Sequence, residues 1–428
     1  MRPYKIQPLK KLINKSIIMP GSKSFSNRAL VMAALTDGRT ILRGVSLSDD
    51  TRVMINALKK LGIRITKVGD KTKIVGNGGR FKPFNGRINV GPAGTTFRFL
   101  AALSVLTPGE ITLDGSRRMR KRPIGDLVKA LGSLGAEIKY LAEKNCPPIK
   151  IIGGKITGGE VKMPGKVSSQ FFTSLLLIAP ALKRGLNIKV LGKQVSKSFI
   201  DMTLESLKEH GVFVKNNNYK RYSVSPVARY SPGQYRIEGD ASGASYFWAL
   251  ASITGSRIKV KNIPPNSSQG DAKFPDLLKR MGAKVIKNKK ENWIEVKGPA
   301  TLKGIKVNME DMPDTAQTLA VVAAFSKGST KITGLSTLRH KETDRLSALK
   351  TELKKMGIRS AISHDSITIQ GGNPRGAKIS TYNDHRMAMS FAIAGAKIPG
   401  MVIKNPEVVS KSFPEFWNII KSAGIKLA

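Results

Sequence analysis

Apolar and polar positions follow two patterns that each recur about every 70 residues along the chain. In the first pattern, an apolar and almost uncharged segment closes on a glycine and leads into alternating β-branched and polar residues, as at 29–35, Gly38 and 40–42. Such a segment predicts a helix that is buried on all sides and is followed by a strand. The glycines of this pattern are Gly38, Gly109, Gly185, Gly255, Gly328 and Gly400.

The second pattern is a more amphipathic helix that carries Lys and Arg and closes on a glycine before an apolar residue, where a further strand is predicted to begin. Glycine adopts the left-handed conformation at little cost, so each of these glycines is expected just beyond a helix C-terminus. They are Gly62, Gly135, Gly211, Gly282, Gly357 and Gly424. Because the two patterns alternate with one period, they predict an α/β fold of six repeated helix-strand units of about 70 residues.

The chain length predicts more than one domain, because 428 residues exceed the roughly 250–300 that one hydrophobic core usually supports. The segment 216–234 follows the third copy, is polar and contains Pro226 and Pro232, which predicts a linker. We therefore expect an N-terminal lobe at 21–238 and a C-terminal lobe of 239–428 with 1–20, each holding three copies.

Composition excludes several kinds of site. The single cysteine, Cys146, cannot form an internal disulfide, and the four histidines do not lie at metal-ligand spacing. No apolar run reaches the roughly 18 residues that a membrane crossing needs, and the first residues show no signal-peptide pattern. We therefore predict a cytoplasmic protein without a metal site.

The net charge of +44 could indicate a nucleic-acid partner, anionic substrates or a solvated lysine-rich surface. The 73 Lys and Arg residues are spread along the whole chain, only 6% of residues are aromatic, and no zinc-finger or RNP motif occurs. We interpret most of this charge as surface, while a non-catalytic RNA-binding repeat protein remains the alternative from a different functional class.

Cations recur immediately before or within the first turns of the predicted helices. A helix N-terminus has unpaired N–H groups and a positive dipole end, so it favours anions and disfavours cations. Recurrent cations at such positions therefore indicate an anionic ligand that compensates their charge. They are Lys23, Arg28, Arg122, Lys341, Arg345, Arg386 and Lys411.

Two carboxylates stand among these cations. Glu342 lies beside Lys341 and three residues before Arg345, and Asp314 opens an apolar helix after Pro313. Each could be a helix cap or a surface ion pair, but in a cationic pocket each could also transfer protons. The P-loop and Gly-x-Gly-x-x-Gly motifs are missing from the sequence, which argues against a nucleotide enzyme.

These motifs together resemble those of the enolpyruvyl transferase family and, within it, the 5-enolpyruvylshikimate-3-phosphate synthases. The resemblance covers the whole chain, and eight segments in the same order carry it. They are residues 21–24, 91–98, 122–125, 168–170, 239–242, 341–346, 382–389 and 411–414. The resemblance implies an inside-out α/β barrel type of fold with two three-unit lobes and a cleft that closes on the substrates.

The resemblance also implies a reaction. The enolpyruvyl group of phosphoenolpyruvate would be transferred to the 5-hydroxyl of shikimate 3-phosphate, through a tetrahedral intermediate and with release of phosphate. No cofactor, nucleic acid or membrane partner is expected, and we expect a monomer. The glycine at position 94 implies inhibition by glyphosate, because it leaves room in the phosphoenolpyruvate site.

The family's site residues carry over by position. Shikimate 3-phosphate would be bound by Lys23, Ser24, Arg28, Ser168, Ser169, Gln170, Ser196, Asp314 and Lys341. Phosphoenolpyruvate would be bound by Lys23, Gly94, Arg122, Arg345, Arg386 and Lys411. Three residues would be catalytic: Asp314 would accept the proton of the 5-hydroxyl, Glu342 would protonate the methylene carbon of phosphoenolpyruvate, and Lys23 would contact both substrates.

The chain departs from the family pattern at Pro92, Phe199 and Thr337, where many relatives carry polar side chains that contact the substrates. We expect these changes to alter affinity and not the type of reaction. Within the family, the alternative is a UDP-N-acetylglucosamine enolpyruvyl transferase, which usually carries a cysteine shortly before the Arg-Pro motif. Residues 115–122 contain no cysteine, and Cys146 is interpreted as structural.

Overall fold

The computed structural model describes residues 2–428. Its α-helices are α1 (Lys23–Leu35), α2 (Asp49–Lys60), α3 (Gly94–Ser104), α4 (Gly125–Ser133), α5 (Ser169–Ile178), α6 (Lys197–Glu209), α7 (Ala241–Thr254), α8 (Phe274–Arg280), α9 (Ala316–Ala324), α10 (Arg345–Lys355), α11 (His385–Gly395) and α12 (Phe416–Ser422). Short 3₁₀ helices lie at Met119–Lys121, Ala179–Ala181, Gly270–Lys273, Pro313–Thr315, Ser336–His340 and Pro406–Lys411.

The strands of the first half are β1 (Tyr4–Ile6), β2 (Asn14–Ile18), β3 (Asp37–Arg43), β4 (Arg64–Val68), β5 (Lys71–Asn77), β6 (Gly86–Asn89), β7 (Gly109–Asp114), β8 (Glu137–Tyr140), β9 (Ile149–Gly153), β10 (Gly159–Pro164), β11 (Leu186–Leu191), β12 (Val214–Asn217), β13 (Arg221–Val224) and β14 (Gly233–Arg236). Those of the second half are β15 (Arg257–Lys261), β16 (Lys284–Asn288), β17 (Trp293–Lys297), β18 (Leu302–Lys303), β19 (Lys306–Asn308), β20 (Ser326–Lys327), β21 (Ser329–Thr333), β22 (Ser360–Ile362), β23 (Ile367–Gln370), β24 (Lys378–Ile379) and β25 (Met401–Ile403).

One strand pattern recurs in six sheets. In the copy formed by β6, α3, β7, α4, β8 and β9, β6 pairs parallel with β7 across the buried helix. The hairpin of β8 and β9 then returns, and β9 pairs antiparallel with β7. Four other sheets repeat these pairings, and the sixth has β24 parallel and β1 antiparallel to β25. The α/β fold class predicted from the sequence is confirmed.

The twelve glycines that define the two patterns all adopt positive φ, from 61° at Gly185 to 124° at Gly38. A side chain at such a position would be strained, which explains glycine at each of them. In the second pattern every helix ends two residues before its glycine, so those predicted endings are confirmed. In the first pattern the helices end one to seven residues before the glycine, and those endings were predicted too late. The pattern missed the first strand of each copy and predicted one strand where the structure has a hairpin.

The chain divides into two compact units. The middle unit is Gly21–Ile237, and the terminal unit combines Glu238–Ala428 with the N-terminal segment up to Pro20. In the middle unit α1, α3 and α5 are buried and their apolar residues form one core, with three four-stranded sheets around it. In the terminal unit α7, α9 and α11 take the same place. The sheets are separate, and none closes into a barrel among the described residues.

The N-terminal segment supplies two strands to the terminal unit. Strand β1 pairs antiparallel with β25, and Ile6 bridges Leu427. Strand β2 pairs parallel with β15 over five residues. The first and last copies of the terminal unit therefore depend on residues that lie before the middle unit in the sequence.

The linker predicted at 216–234 is wrong. Residues 216 and 217 belong to β12, and β13 (Arg221–Val224) forms a hairpin with it and pairs with β11. The last residues of the segment enter β14, which pairs parallel with β3. Polar residues and prolines mark the exposed face and the turns of this sheet, which is why the local pattern suggested a linker.

None of the helices within residues 2–428 combines the length and the apolar character that a membrane crossing requires.

Candidate active site

In the middle unit, hydrogen bonds join the starts of successive helices. The Nζ atom of Lys23 on α1 lies 3.2 Å from Oδ2 of Asp50 on α2. The backbone carbonyl of Asp50 accepts a 3.0 Å hydrogen bond from the hydroxyl of Thr96 on α3. The side-chain amide of Gln170 on α5 donates to the hydroxyl of Thr95 at 3.1 Å. The starts of α1, α2, α3 and α5 thus lie at one end of the unit.

The guanidinium of Arg28 adds α6 to this group. Its Nε donates to the hydroxyl of Thr203 and its Nη2 to the backbone carbonyl of Phe199, both at 2.9 Å and both on α6. Its Nη1 donates to the carbonyl of Ser24 one turn earlier on α1, also at 2.9 Å. The ring of Phe99 lies 5.8 Å from the guanidinium carbon.

Arg28 is a buried cation whose hydrogen-bond partners are all neutral. Its side chain is 3% exposed, and no carboxylate within residues 2–428 forms an ion pair with it. Burial without a compensating charge lowers the pKa of Arg28 to about 9. Because an uncompensated buried charge is costly, this position favours an anionic ligand.

The serines at the starts of α5 and α6 differ in their capping. The hydroxyl of Ser168 accepts from the backbone N–H of Gln170 at 3.3 Å, as an N-cap does. Ser169 is buried in the first turn of α5. Ser196 precedes α6 with a left-handed φ of 52° and makes no side-chain cap hydrogen bond. The hydroxyl of Ser196 therefore does not serve as an ordinary cap.

Arg122 lies directly against the start of α3. A Cβ atom added to Gly94 would come within 2.2 Å of Nη1 of Arg122, so glycine at this position makes room for the guanidinium. The Arg122 side chain is 7% exposed, and its Nε has no hydrogen-bond partner among the described residues. Arg98 joins the start of α3 to the residue after Arg122, because it donates to the carbonyls of Gly94 at 2.8 Å and Pro123 at 3.1 Å.

In the terminal unit, Arg345 at the start of α10 is surrounded by carboxylates. Its Nε lies 2.7 Å from Asp384, its Nη1 3.3 Å from Asp314 and its Nη2 2.9 Å from Glu342. Burial would lower the pKa of Arg345, but these three carboxylates outweigh the effect and raise the pKa above its ordinary value. The side chain is 1% exposed, so the guanidinium stays charged and fixed in place.

Asp314 binds cations through both oxygens. Its Oδ2 accepts from Nη2 of Arg386 on α11 at 2.7 Å, and its Oδ1 lies 3.7 Å from Nζ of Lys341. Arg345 also donates to Oδ1. Burial would lower the pKa of Arg386, but Asp314 and neighbouring acidic groups raise it well above the ordinary value. Three cations thus converge on one carboxylate.

Glu342 has a similar setting on the other side of Arg345. Its Oε2 accepts from Arg345, and its Oε1 lies 3.5 Å from Nζ of Lys411. Both side chains of this second pair are mostly buried, at 12% and 8% exposure. Asp314 and Glu342 are therefore bridged by one guanidinium and flanked by further cations.

The structure brings together the predicted residues within each unit, but the prediction that all cations open helices is only partly right. Lys23 and Arg345 are the first residues of α1 and α10, and Arg386 is the second of α11. Arg122 instead follows a 3₁₀ turn, three residues before α4. Two others also lie outside helix starts: Lys341 follows the 3₁₀ helix Ser336–His340, and Lys411 ends the 3₁₀ helix Pro406–Lys411. Loops and 3₁₀ turns therefore place some of the clustered cations in each unit.

Sequence reasoning missed two carboxylates. Asp384 is fully buried, caps α11 through the N–H of Arg386 and pairs with Arg345. Asp271 is buried beside Ser242, whose hydroxyl donates to it. An Asp just before a helix is usually a cap, so Asp384 could have been found only from its position two residues before Arg386. The sequence carries no signal for Asp271.

Comparison with known proteins decides which family carries this arrangement. The sequence model of EPSP synthase, described as 3-phosphoshikimate 1-carboxyvinyltransferase, matches residues 7–420. The chain belongs to the EPSP synthase family. Relatives named 3-phosphoshikimate 1-carboxyvinyltransferase are 44% identical over 426 residues in Marinomonas sp. strain MWYL1 and 43% identical over 423 residues in Shewanella amazonensis, with 98–99% of each chain covered.

The solved structure of EPSP synthase from Acinetobacter baumannii is also similar. It superposes with a TM-score of 0.83 at 27% identity, and the match covers both chains completely. The predicted family and enzyme class are therefore confirmed, and the chain is an EPSP synthase-family enzyme of the shikimate pathway that transfers an enolpyruvyl group. Its substrates are small molecules. These matches favour the predicted reaction over the RNA-binding and UDP-N-acetylglucosamine alternatives.

Proposed function

We propose that the clustered cations divide the two anionic substrates of the family reaction between them. Shikimate 3-phosphate is bound by Lys23, Ser24, Arg28, Ser168, Ser169, Gln170, Ser196, Asp314 and Lys341. Phosphoenolpyruvate is bound by Lys23, Gly94, Arg122, Arg345, Arg386 and Lys411. The observation that carries the proposal is the pair of buried guanidinium groups, Arg28 and Arg122, that form no ion pair among residues 2–428.

Arg28 suits the phosphate or carboxylate of shikimate 3-phosphate. An anion beside it would restore the pKa that burial lowers to about 9, and forked contacts to oxygens are the strongest that a guanidinium makes. The nearby hydroxyls at the starts of α5 and α6 supply further donors. Ser196 supports this assignment because its hydroxyl caps no helix.

Arg122 suits phosphoenolpyruvate for a related reason. Its Nε finds no hydrogen-bond partner among the described residues, and the lack of a side chain at Gly94 lets its Nη1 lie against the start of α3. A small anion that binds there would satisfy the guanidinium. In the terminal unit, Arg345 and Arg386 contact Asp314 and Glu342. When phosphoenolpyruvate binds, these two guanidinium groups would give up part of those contacts and bind the substrate.

We assign the proton transfers to the two carboxylates. Asp314 accepts the proton of the 5-hydroxyl as its oxygen attacks C2 of phosphoenolpyruvate, while Glu342 gives a proton to C3. The tetrahedral intermediate then returns a proton from the new methyl group to Glu342, and the electron pair of that C–H bond forms the double bond between C2 and C3. The bond between C2 and the phosphate oxygen breaks at the same time, and its electron pair leaves with phosphate. Proton transfer by such groups typically contributes about 10² to 10⁴ in rate.

The ion pairs of Glu342 support this assignment. Its carboxylate contacts both Arg345 and Lys411, two of the cations that we assign to phosphoenolpyruvate, so it lies beside the proposed position of that substrate.

The binding assignments predict a separation of kinetic constants. Arg28→Gln should raise the KM for shikimate 3-phosphate by about 10-fold or more, and Arg122→Gln should do so for phosphoenolpyruvate, because each loses a charge-assisted contact of about 1.5–3 kcal/mol. Arg80→Gln is the matched control, since Arg80 is 73% exposed on the same unit. Steady-state kinetics with each substrate varied measures the three variants. Equal effects of Arg28→Gln and Arg122→Gln on both KM values would contradict the division.

We further propose a cytoplasmic monomer, because every assigned residue comes from one chain and both substrates are phosphorylated metabolites. Light scattering at working concentrations should give the mass of one 46.5 kDa chain.

Inhibition by glyphosate competitive with phosphoenolpyruvate is expected from Gly94, and insensitivity at high concentration would contradict that point alone.

A further inference from the structure

Asp271 is a buried carboxylate that lies behind the proposed proton acceptor and has no part in the reaction as assigned above. It belongs to the 3₁₀ helix Gly270–Lys273 and is 6% exposed. One oxygen accepts from the hydroxyl of Ser242, and the other lies 3.4 Å from the hydroxyl of Thr315. Within residues 2–428, no lysine or arginine forms an ion pair with it.

Both of these hydroxyl groups connect Asp271 to the site. Ser242 is the second residue of α7, and its hydroxyl oxygen lies 3.5 Å from Nη2 of Arg386, the same nitrogen that donates to Asp314 at 2.7 Å. Thr315 follows Asp314 directly in the chain, and its single hydroxyl hydrogen is shared between Asp271 and the nearer carbonyl of Met312, at 3.0 Å. A line of contacts therefore runs from Asp271 through Ser242 and Arg386 to Asp314.

Charged and titratable groups face Asp271 from every neighbouring element. Asp314 lies on the turn before α9, Arg386 on α11, and Asp240 at the N-cap of α7, while the buried Tyr246 of α7 lies near Arg386. Burial and the charges of Asp314 and Asp240 raise the pKa of Asp271 to about 7, while Arg386 and the Ser242 hydrogen bond oppose this rise. The charge of this carboxyl therefore changes near neutral pH.

We propose that Asp271 is a positioning residue for Asp314 and Arg386: through Ser242 and Thr315 it holds the guanidinium and the carboxylate, and its charge sets how available Arg386 is to an anionic substrate. The proposal rests on the roles assigned above to Asp314 and Arg386. When Asp271 is protonated, Arg386 shares its charge with one carboxylate fewer and binds phosphoenolpyruvate more strongly. When Asp271 is ionised, the added negative charge repels the substrate and competes for Arg386.

The direction of the pH effect follows from the negative charge that Asp271 gains when it ionises. As the pH rises from 6 to 8, Asp271 loses its proton, and the KM for phosphoenolpyruvate of the unchanged enzyme should rise. The variant Asp271→Asn keeps the size and the hydrogen bonds of the protonated form but cannot ionise. The KM of the variant should also rise less over the same range: its fold-increase should be about five times smaller than that of the unchanged enzyme, a typical size for coupling between two sites. Titration of the substrate itself affects both enzymes equally.

The experiment measures kcat and the KM for both substrates at pH 6, 7 and 8 for the unchanged enzyme, Asp271→Asn and Ser242→Ala. Ser242→Ala leaves the carboxyl in place but removes the hydrogen bond that lowers the pKa of Asp271, so the rise in the KM for phosphoenolpyruvate should move to higher pH. The KM for shikimate 3-phosphate should show no such difference among the three enzymes. Circular dichroism and a thermal melt check that each variant folds.

Two results would overturn the proposal. One is an Asp271→Asn enzyme whose KM for phosphoenolpyruvate follows the same pH dependence as the unchanged enzyme. The other is a Ser242→Ala enzyme whose KM for phosphoenolpyruvate rises over the same pH range as that of the unchanged enzyme, because the Ser242 hydroxyl would then not connect Asp271 to the site. If Asp271→Asn fails to fold, Ser242→Ala alone decides. Failure of the assigned site roles is distinguishable, since it would show as undiminished turnover by Asp314→Asn.

Discussion

At the residue scale, the site depends on how each buried guanidinium is compensated. Arg345 is held by three carboxylates of its own unit, whereas Arg28 has neutral partners only. Taking a guanidinium out of water costs several kcal/mol unless a charge compensates it. Arg345 is therefore pre-organised by the protein, and Arg28 and Arg122 leave their compensation to a ligand. The charge of Arg345 is thus balanced before a ligand binds, whereas the charges of Arg28 and Arg122 would be balanced only by a bound anion.

Gly94→Ala should weaken phosphoenolpyruvate binding through Arg122. The new Cβ would lie 2.2 Å from Nη1 of the guanidinium, so Arg122 must move away from its present position. We expect the KM for phosphoenolpyruvate to rise by about 10-fold or more, with the KM for shikimate 3-phosphate almost unchanged. Gly132→Ala is the matched control, because a Cβ at Gly132 in α4 meets nothing within 4 Å and alanine favours a helix. An unchanged KM for Gly94→Ala would contradict the account of Arg122.

Asp271→Asn should change how stability depends on pH. The pKa of Asp271 is about 7 in the folded protein and about 3.9 in an unfolded chain, so the folded state binds its proton more tightly. This contribution to stability is fully present below pH 4 and is lost as the pH rises through 7. The unchanged protein therefore loses stability from this carboxyl between pH 5 and pH 8, and the variant does not. The free energy of unfolding of the variant minus that of the unchanged protein should increase by about 2–3 kcal/mol over this range. Urea unfolding at both pH values measures the difference, and a constant difference would contradict the assigned burial.

Which site residues can be found in a sequence depends on the kind of signal. Charged residues such as Lys23 and Arg345 stand out because cations are unfavourable at helix starts. The contact between Gly94 and Arg122 joins two parts of the chain that no local pattern connects. Asp271 is hidden for the same reason, since its partners Ser242 and Thr315 are brought to it only by the fold.

At the element scale, α10 controls the start of α11 from two positions. Arg345 in its first turn binds Asp384, the N-cap of α11. Two turns later the buried Glu352 accepts from the N–H of Ser380 at 3.1 Å and from the hydroxyl of Tyr382 at 2.6 Å. Between these two anchors the backbone is left-handed, with φ of 55° at Tyr382 and 54° at the next residue, Asn383. Such conformations are costly outside glycine, so the two anchors maintain the turn that presents Arg386.

Tyr382→Phe should loosen this turn. It removes one hydrogen bond to a buried carboxylate, which is worth about 1.5–3 kcal/mol of stability when the acceptor is charged. We expect a lower midpoint in urea and a higher KM for phosphoenolpyruvate, because Arg386 follows the turn. Tyr235→Phe is the matched control, since the Tyr235 hydroxyl donates to the carbonyl of Ser231 on an exposed part of the middle unit. An unchanged KM in Tyr382→Phe, or an equal rise in the control, would contradict the role of the Glu352 anchor.

Helices and their ends could be predicted more fully than strands. The glycine after each helix is a local requirement, and all twelve have positive φ. Strands such as β24 (Lys378–Ile379) and β18 (Leu302–Lys303) contain only two residues each, too few for an alternating pattern to appear. The hairpin of β12 and β13 was mistaken for a linker because its outer face is polar.

At the scale of the whole molecule, the six copies are not equally complete within their own stretch of sequence. The middle unit contains all of its strands, with β14 pairing back to β3. The terminal unit needs β1 for its last sheet and β2 for its first. The predicted C-terminal lobe includes residues 1–20, but the pairing of β2 with β15 lies beyond any local pattern.

This difference predicts how fragments behave. The fragment 21–237 should fold alone and melt cooperatively, because its core and its three sheets are complete. The fragment 238–428 should be less stable, because the edges of β15 and β25 lose their partners. A peptide of residues 1–20 added to it should raise its melting temperature, which circular dichroism can follow. A fragment 238–428 that melts equally well with and without the peptide would contradict the role of β1 and β2.

The central claim, enolpyruvyl transfer by Asp314 and Glu342 among these cations, is tested most directly by phosphate release. The initial rate is measured with phosphoenolpyruvate and shikimate 3-phosphate, together and singly, for the unchanged enzyme, Asp314→Asn and Glu342→Gln. Asp276→Asn serves as the matched control, since its side chain is 48% exposed in the terminal unit. We predict release only with both substrates, a loss of about 100-fold or more in each site variant and none in the control. No release by the unchanged enzyme, or undiminished release by both site variants, would contradict the account.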